Sequence, residues 1–328
     1  MPASAPSRRS APTTTAGALG WLLVTLLLAG CGAGTAGPPP DDRSPGQTAT
    51  SPVASGSPGA AAGSPQPAGK LLVIVEENRS TADVTAHMPY LTAAAARYGS
   101  ATQYHALRHP SLPNYLVIAG GSLFDVTDDR NPSAHPLSGP SVFGQLLAAG
   151  HTTKTYAEAM QGNCATENQG RYAVRHNPWT YFTDPAERAA CAKFDVPAGT
   201  TTSGQLVDDV KAGQLPTFSL VIPDACNDGH DCSAATADRW LRDWLPVIQS
   251  GPDFADGKLT IVVTWDEDDG SDGNRVAFVV INPKLSGRTV DTKLDHYALS
   301  ATISGLGGQS PLREAKGAPD LLRAFGLA

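Results

Sequence analysis

The pattern of hydrophobic positions predicts an α/β fold for the chain beyond residue 69. Short runs of Val, Ile and Leu are continuous rather than alternating, which is typical of strands buried on both faces of a parallel sheet. These runs span residues 71–75, 218–222, 259–264 and 276–281. Helix-like stretches lie between them, at residues 88–97, 141–149, 205–211 and 237–249. This alternation predicts a three-layer α/β/α sandwich with a largely parallel central sheet.

Polar residues follow three of these predicted strands. Ligands of open α/β sheets bind outside the carboxyl ends of the strands, so we expect these residues to converge. They are Glu76, Glu77 and Asn78 after the first strand, Asp224, Asn227, Asp228 and His230 after the second, and residues 266–269 after the third.

A single hydroxyl, Ser111, stands between Pro110 and Pro113. The two prolines restrict the backbone, so the serine is held on a stiff turn. Residues 115–119 then form a buried helix or strand. A serine on a rigid turn at the head of a buried element is how a nucleophile is presented. The alternative is a proline-rich surface turn.

The N-terminal residues are similar to an export signal. Arg8 and Arg9 precede an apolar stretch, residues 16–30, that is too short for a membrane span. It ends in the tetrapeptide LAGC at Cys31, which looks like the lipobox of bacterial lipoproteins, whose cysteine is acylated. We expect an extracytoplasmic protein that a lipid on Cys31 anchors to the cell membrane. The alternative is secretion through a plain signal peptide.

Residues 31–69 consist mainly of Gly, Pro, Ala, Ser and Thr, with few apolar side chains. This composition predicts a disordered tether. The chain therefore divides into a signal peptide (1–30), a tether (31–69) and one folded domain (70–328). The net charge is −7, and removal of a signal with two arginines and no acid leaves −9. An acidic chain of this kind excludes nucleic acid as a partner.

Four cysteines remain after Cys31, an even number that indicates two disulfides in an exported chain. Three pairings are possible, and proximity favours Cys164 with Cys191 and Cys226 with Cys232. A zinc site that combines the second pair with His230 has the wrong spacing.

The acidic residues after the strands predict a divalent metal ion, because a cluster of Asp and Glu with few histidines suits a hard or borderline cation. Glu77, Asp266 and Glu267 are candidate ligands, and His296 is a candidate nitrogen ligand or acid. A cation would lower the pKa of a serine hydroxyl and neutralise a phosphoryl group.

The residues around Ser111 favour phosphoryl over acyl transfer. Asn78 and Asn114 can donate to phosphoryl oxygens without adding charge. An acyl hydrolase would need a Gly-x-Ser-x-Gly elbow, which does not surround Ser111.

Six ordered motifs then carry a family resemblance across residues 70–328. The motifs are VEENRS (75–80), HPSLPNY (109–115), HNP (176–178), NDGHD (227–231), TWDED (264–268) and DHY (295–297). Together they resemble the bacterial phosphoesterase family of secreted acid phosphatases and phospholipases C, within the alkaline phosphatase-like superfamily. The size of the chain is closest to the compact acid phosphatase branch.

The resemblance implies a role for each matching residue. Ser111 would be the nucleophile, Asn114 would hold phosphoryl oxygens, and Glu77 and Asn78 would reach metal and phosphate. The further implied site residues are Asp266 and Glu267 for metal, Asp228 and His230 for a second metal or acid–base catalysis, His296 as the late histidine of the site, and His109 and His176 as pocket residues. Many superfamily members have an Asp-His pair in place of Asp266-Glu267, so the number of metal ions stays open.

These features predict a metal-dependent acid phosphatase that acts on phosphate monoesters through a phosphoserine at Ser111. Its substrate would be a small phosphorylated molecule or a phospholipid head group. One alternative is a phosphodiesterase or phospholipase C with the same centre, and a second is a surface binding protein on a degenerate enzyme fold.

Overall fold

The computed structural model describes residues 69–328, which form an eight-stranded sheet covered by helices and a separate two-stranded sheet. The predicted signal peptide, the predicted tether up to residue 68 and the lipobox cysteine Cys31 lie outside the described residues. Within residues 69–328, every helix is too short or too polar to cross a lipid bilayer.

The strands occur in the order β1 to β10 along the chain. They are β1 Lys70–Glu76, β2 Gly99–Ala101, β3 Tyr104–His105, β4 Thr153–Ala157, β5 Asp195–Pro197, β6 Phe218–Ile222, β7 Leu259–Trp265, β8 Phe278–Ile281, β9 Arg288–Val290 and β10 Leu294–Asp295. The helices are α1 Thr81–His87, α2 Pro89–Arg97, α3 Ser111–Gly120, α4 Val142–Ala148, α5 Pro185–Phe194, α6 Gln205–Ala212, α7 Ala234–Gln249, α8 Pro252–Ala255, α9 His296–Leu306 and α10 Leu321–Phe325.

The main sheet has the strand order β5-β4-β6-β1-β7-β8-β2-β9. Its first five strands are parallel, and β8 runs antiparallel to both of its neighbours. The prediction of a largely parallel sheet is confirmed. The fourth apolar run, residues 276–281, contains a buried strand, β8, which begins at Phe278 and runs antiparallel to its neighbours.

The helices form two groups, one on each face of the sheet. Helices α1, α2, α6, α7 and α8 contact one another on one face, and α3, α4, α5, α9 and α10 form the second group. The predicted three-layer arrangement is therefore confirmed. Burial on both faces explains the uninterrupted hydrophobicity of the central strands, because every residue of β7 and all but Lys70 of β1 are buried.

Helix α3 resolves the helix-or-strand alternative that the sequence left open. All of its residues are buried, and it packs against α9. The helix ends at Gly121, whose φ of 67° is left-handed. A Cβ at Gly121 would lie 2.4 Å from the Leu312 carbonyl oxygen, so a side chain does not fit here.

Both disulfides have the pairing that sequence proximity favoured, Cys164–Cys191 and Cys226–Cys232. The second closes a loop of short sequence separation that contains Asp228 and His230. Loops constrained in this way hold their side chains in fewer conformations.

Candidate active site

Glu77 and Asp266 are neighbours because they follow adjacent parallel strands. The register of β1 and β7 pairs Glu76 with Trp265, so the next residue of each strand lies at the same edge of the sheet. The Asp266 N–H donates to the Glu76 carbonyl oxygen at 3.1 Å, which extends the strand pairing to this point. Both the Glu77 and the Asp266 carboxyl groups are fully buried.

Ser111 is the first residue of α3, and its hydroxyl contacts Glu77 of this carboxylate pair. Its Oγ donates to Glu77 Oε2 at 3.1 Å. The sequence predicted a stiff turn before a buried element, but the serine itself belongs to the helix and is buried. The amino end of a helix carries partial positive charge, which favours an anion beside Ser111.

The other carboxylate oxygen of Glu77 contacts His176, and the second ring nitrogen of His176 contacts a further acid, Asp228. His176 Nε2 lies 3.2 Å from Glu77 Oε1, and His176 Nδ1 lies 3.1 Å from Asp228 Oδ2. One ligand atom from each of these three buried residues lies within 4.8 Å of the others. The Glu77 N–H donates to the Asp228 carbonyl oxygen at 2.9 Å, which fixes the loop after β6 against β1.

The donor set of this cluster fits a divalent cation. Several buried side-chain atoms have no hydrogen-bond partner within residues 69–328. They are Asn78 Oδ1 and Asp266 Oδ2, together with the ring nitrogens of His176 and Asp228 Oδ2, whose contacts at 3.1–3.2 Å lack hydrogen-bond geometry. Unpartnered buried polar atoms are costly, and a cation would satisfy those that have a free lone pair. Carboxylate and amide oxygens with an imidazole nitrogen are suitable ligands for such an ion.

Burial also raises the pKa of the clustered carboxyl groups. The pKa of Asp228 and that of Asp266 are each about 7, with burial as the main cause in both. The pKa of Glu77 is raised well above its usual value by burial, then by the charges of Asp266 and Asp228. Without a cation these groups hold protons near neutral pH, whereas a bound cation would favour ionisation of all three.

The two asparagines of the predicted site differ in what they contact. Asn78 has a left-handed φ of 57°, and its N–H donates to Asp266 Oδ1 at 3.2 Å. Asn114 Oδ1 accepts from the N–H groups of Leu107 and Arg108, and its Nδ2 donates to the Arg108 carbonyl oxygen at 2.8 Å. The Asn114 amide therefore organises the loop that leads to Ser111.

Glu267 lies between Asn114 and His109 and contacts both side chains. Glu267 Oε2 is 3.4 Å from Asn114 Nδ2 and 3.2 Å from His109 Nδ1. Burial, followed by the charge of Asp266, raises the pKa of Glu267 to about 9. His109 Nε2 lies 3.2 Å from Asp268 Oδ1. The Asp268 carboxyl group is buried and accepts backbone N–H groups within its own loop.

His296 is buried and uses both ring nitrogens. Tyr104 Oη lies 2.9 Å from Nδ1, and Nε2 lies 2.7 Å from the Asp266 carbonyl oxygen. Burial lowers the pKa of His296 to about 4, so the ring is neutral at ordinary pH. In this conformation neither nitrogen is available to a substrate or a metal ion, and the ring supports the backbone of Asp266.

His230 lies closer to solvent, at 30% side-chain exposure. Its ring centroid is 5.8 Å from that of His176. Its Nδ1 is 2.7 Å from Asp231 Oδ1, and its Nε2 accepts a hydrogen bond from Arg175 Nη2 at 3.0 Å. The backbone N–H of His230 donates to Asp228 Oδ1 at 2.8 Å, so the two predicted acid–base residues are in direct contact.

Tyr115 belongs to the site although the sequence did not single it out. Its hydroxyl donates to Glu77 Oε1 at 2.5 Å, and its ring stacks on His176 with centroids 5.4 Å apart. The spacing in the sequence could have indicated this, because Tyr115 lies four residues after Ser111. Residues four apart lie on the same face of a helix. Arg175 and Asp129, which also border the site, have no comparable signal in the sequence.

A buried carboxyl group holds the turn that carries His176. Asn177 Nδ2 donates to both oxygens of Asp195, at 3.0 and 2.9 Å. Asp195 lies beside the Cys164–Cys191 disulfide, with 3.6 Å between Cys191 Sγ and Asp195 Oδ2. Burial raises the pKa of Asp195 to about 8. The HNP motif therefore positions His176 through its neighbour Asn177.

Ser111 lies at a helix terminus among buried carboxyl groups, at the edge of the sheet where open α/β folds bind ligands. The chain belongs to the Phosphoesterase family, whose sequence profile matches residues 84–306, and it is therefore a phosphoric ester hydrolase. The match includes Ser111, His176 and Asp266 and begins after Glu77.

Curated relatives carry phosphatase names. A phosphatidylinositol-3-phosphatase of Mycobacterium tuberculosis is 31% identical over 259 residues, which cover 78% of this chain and 82% of the relative. A phosphate-repressible acid phosphatase of Penicillium chrysogenum is 31% identical over 218 residues, 62% of this chain. The aligned region spans about half, 50%, of that fungal protein.

Solved structures support the fold. A protein of the alkaline phosphatase superfamily from Vibrio parahaemolyticus has a TM-score of 0.53 at 12% identity, covering 78% of this chain and 70% of its own. The lipoteichoic acid synthase LtaP from Listeria monocytogenes also has a TM-score of 0.53, at 10% identity, covering 78% and 76%. At these identities the likeness concerns the fold alone.

Proposed function

We propose that the chain is a metal-dependent phosphomonoesterase that works through a phosphoserine at Ser111. The observation that carries this proposal is the 3.1 Å contact between Ser111 Oγ and Glu77, at the amino end of α3 and within a cluster of buried carboxyl groups. A serine hydroxyl needs activation to act as a nucleophile, and this one already has a carboxylate acceptor.

Glu77, Asn78, Asp266 and Glu267 are the residues that would hold the cation, and Glu77, His176 and Asp228 form a second candidate group. When bound, the cation would lower the pKa of the serine hydroxyl and neutralise phosphoryl charge. The unpartnered atoms of Asn78 and Asp266 support this assignment within residues 69–328.

In the first step Ser111 Oγ attacks the phosphorus atom in line with the leaving alcohol. The Oγ–P bond forms, the ester P–O bond breaks, and its electron pair leaves with the alcohol oxygen. Asp228 and His230 are the residues we assign to proton transfer. The proton that leaves the Ser111 hydroxyl passes through these residues to the oxygen of the leaving alcohol.

In the second step water attacks the phosphoserine. A bond forms between the water oxygen and phosphorus, the Oγ–P bond breaks, a proton from the water returns to Ser111 Oγ, and inorganic phosphate leaves. The amino end of α3 favours the negative charge on the phosphoryl group in both steps.

The substrate we propose is a small phosphorylated molecule or a phospholipid head group. The name of the Mycobacterium relative supports the second, since it specifies the 3-phosphate monoester of an inositol lipid. We also propose an extracytoplasmic location, which the two disulfides support because such bonds persist in oxidising compartments. Anchoring through Cys31 is the route the sequence predicts, and secretion is its alternative.

The test compares hydrolysis of an aryl phosphate monoester with hydrolysis of the matching diester by the full chain. Each is measured with chelator, and again after addition of one divalent metal at a time. Ser111→Ala should lower monoester kcat/KM by about 1,000-fold or more. Ser304→Ala is the matched control, because it removes another buried serine hydroxyl from α9.

Monoester hydrolysis that is lost with chelator, restored by metal and dependent on Ser111 would support the proposal. Preference for the diester would move the protein to the phosphodiesterase or phospholipase C alternative. Unchanged hydrolysis by Ser111→Ala would overturn the nucleophile assignment. Inactivity on both substrates with metal present would favour the binding protein instead.

A further inference from the structure

Arg175 is a permanent cation at the border of the carboxylate cluster, and it is neither a proposed catalytic residue nor a proposed metal ligand. It belongs to the 3₁₀ turn Val174–His176 and directly precedes His176. Its side chain is 20% exposed. Burial raises the pKa of Glu77 and of Asp228, and the Arg175 charge acts on both in the opposite direction. The adjacent residue, His176, has its ring nitrogens 3.2 Å from Glu77 Oε1 and 3.1 Å from Asp228 Oδ2, so the turn lies beside both carboxyl groups.

The protein uses few of the donors that Arg175 offers. Its Nη2 donates to His230 Nε2 at 3.0 Å, and within residues 69–328 the guanidinium makes no second hydrogen bond. The nearest carboxylate oxygen, Asp129 Oδ2, lies 4.0 Å from Nε, at the limit of an ion pair. A guanidinium has five N–H groups in a planar fork, so most of them are free for an incoming anion.

Asp129 links Arg175 to the residue after the nucleophile. Its Oδ1 accepts the Leu112 N–H at 2.9 Å, while its Oδ2 faces Arg175. One carboxylate thus lies between the amino end of α3, next to Ser111, and the guanidinium. The chain therefore already holds one anion, the Asp129 carboxylate, at this position. Phosphoryl oxygens are hydrogen-bond acceptors of the same kind.

We propose that Arg175 binds a non-bridging oxygen of the substrate phosphoryl group and thereby sets the preference for phosphate monoesters over diesters. This inference rests on the proposed function. A monoester dianion presents one more charged terminal oxygen than a diester, which has an uncharged ester substituent at that position. A fixed cation therefore stabilises the monoester more than the diester.

The experiment measures kcat/KM for 4-nitrophenyl phosphate and for methyl 4-nitrophenyl phosphate in the metal-replete full chain. Arg175→Gln should lower the monoester value by about 10- to 100-fold, the range of a hydrogen bond to a charged group. The diester value should fall by about threefold or less, so the monoester-to-diester ratio falls by at least about threefold and by as much as about 100-fold. Arg175→Lys should recover part of the monoester loss.

Arg171→Gln is the matched control. Arg171 precedes Arg175 by four residues, its side chain is 63% exposed, and its nearest acid, Asp224, is 3.8 Å away. We expect this variant to keep the wild-type ratio. A role of Arg175 limited to holding His230 would lower both substrates by the same factor. Equal losses on the two substrates, or no loss on either, would overturn the inference.

Inorganic phosphate provides a second readout that does not require turnover. Its binding to the metal-replete protein, measured by calorimetry, should weaken by about tenfold or more in Arg175→Gln. Unchanged phosphate affinity would overturn the inference. Failure of the proposed function is a separate result, because wild type would then lack monoester activity before any variant is compared.

Discussion

Tyr115→Phe should weaken metal binding while leaving the fold intact. The substitution removes one hydroxyl, which donates to Glu77 Oε1 at 2.5 Å, and it keeps the ring that stacks on His176. Both partners are buried. Residues that hydrogen-bond to a metal ligand fix the orientation of that ligand, so loss of the hydroxyl leaves Glu77 less well positioned for a cation.

The magnitude follows from the type of bond. A hydrogen bond to an ionised acceptor contributes about 1.5–3 kcal/mol, and about 1.4 kcal/mol corresponds to a factor of ten. We therefore expect the metal Kd of Tyr115→Phe to rise by about 10- to 100-fold. At saturating metal, kcat should remain within about tenfold of wild type, because Ser111 keeps its own contact with Glu77.

The assay titrates metal into the chelated enzyme and follows both the heat of binding and the return of monoester hydrolysis. Tyr156→Phe is the matched control, since Tyr156 also donates to a carboxylate, Asp209, at 2.6 Å and is likewise buried. Both variants should lose a similar free energy of unfolding, but only Tyr115→Phe should change the metal Kd. Equal metal affinity in the two variants would refute the reasoning.

Two further predictions concern pH. In the chelated protein the pKa values of Asp228 and Asp266 are about 7, against an ordinary value of 3.8. Between about pH 4 and 7 the folded state therefore binds protons that the unfolded state has released. The free energy of unfolding falls as pH rises through this interval. Metal should therefore raise Tm more at pH 8 than at pH 5, and an equal rise at both would contradict this. His296 is neutral in the folded protein because its pKa is lowered from 6.5 to about 4. As pH falls through that interval, the unfolded state takes up a proton that the folded state does not, so the free energy of unfolding falls by about 3 kcal/mol in all. Urea unfolding of His296→Gln should show a flatter pH dependence than wild type, and an unchanged slope would show that another group is responsible.

Much of the fold could be predicted because buried strands have a strong local signal. The runs at residues 71–75, 218–222 and 259–264 agree with β1, β6 and β7 within one residue at each end. Shorter strands such as β2 and β9 were not predicted. Three residues at a sheet edge have no periodicity of their own, and their pairing comes from the neighbouring strand.

The site was partly predictable for a related reason. Glu77 and Asp266 could be placed together because parallel strands end at a common edge of the sheet. The partners of the histidines could not be inferred in this way. Candidate residues His176 and His296 each stand beside an asparagine or an aspartate in the sequence, yet one ring faces Glu77 and Asp228 and the other faces Tyr104 and a backbone carbonyl.

The sequence by itself determined the strands, the polar residues that follow them and the order of the motifs, because these depend on local hydrophobicity and chain direction. Only the tertiary structure decided that the Ser111 hydroxyl contacts Glu77, that Tyr115 supports the same carboxylate, and that Arg175 borders the cluster. Such contacts join residues far apart in the chain. These contacts depend jointly on strand register, helix packing and side-chain rotamers. None of these three can be determined from a linear pattern of residue types.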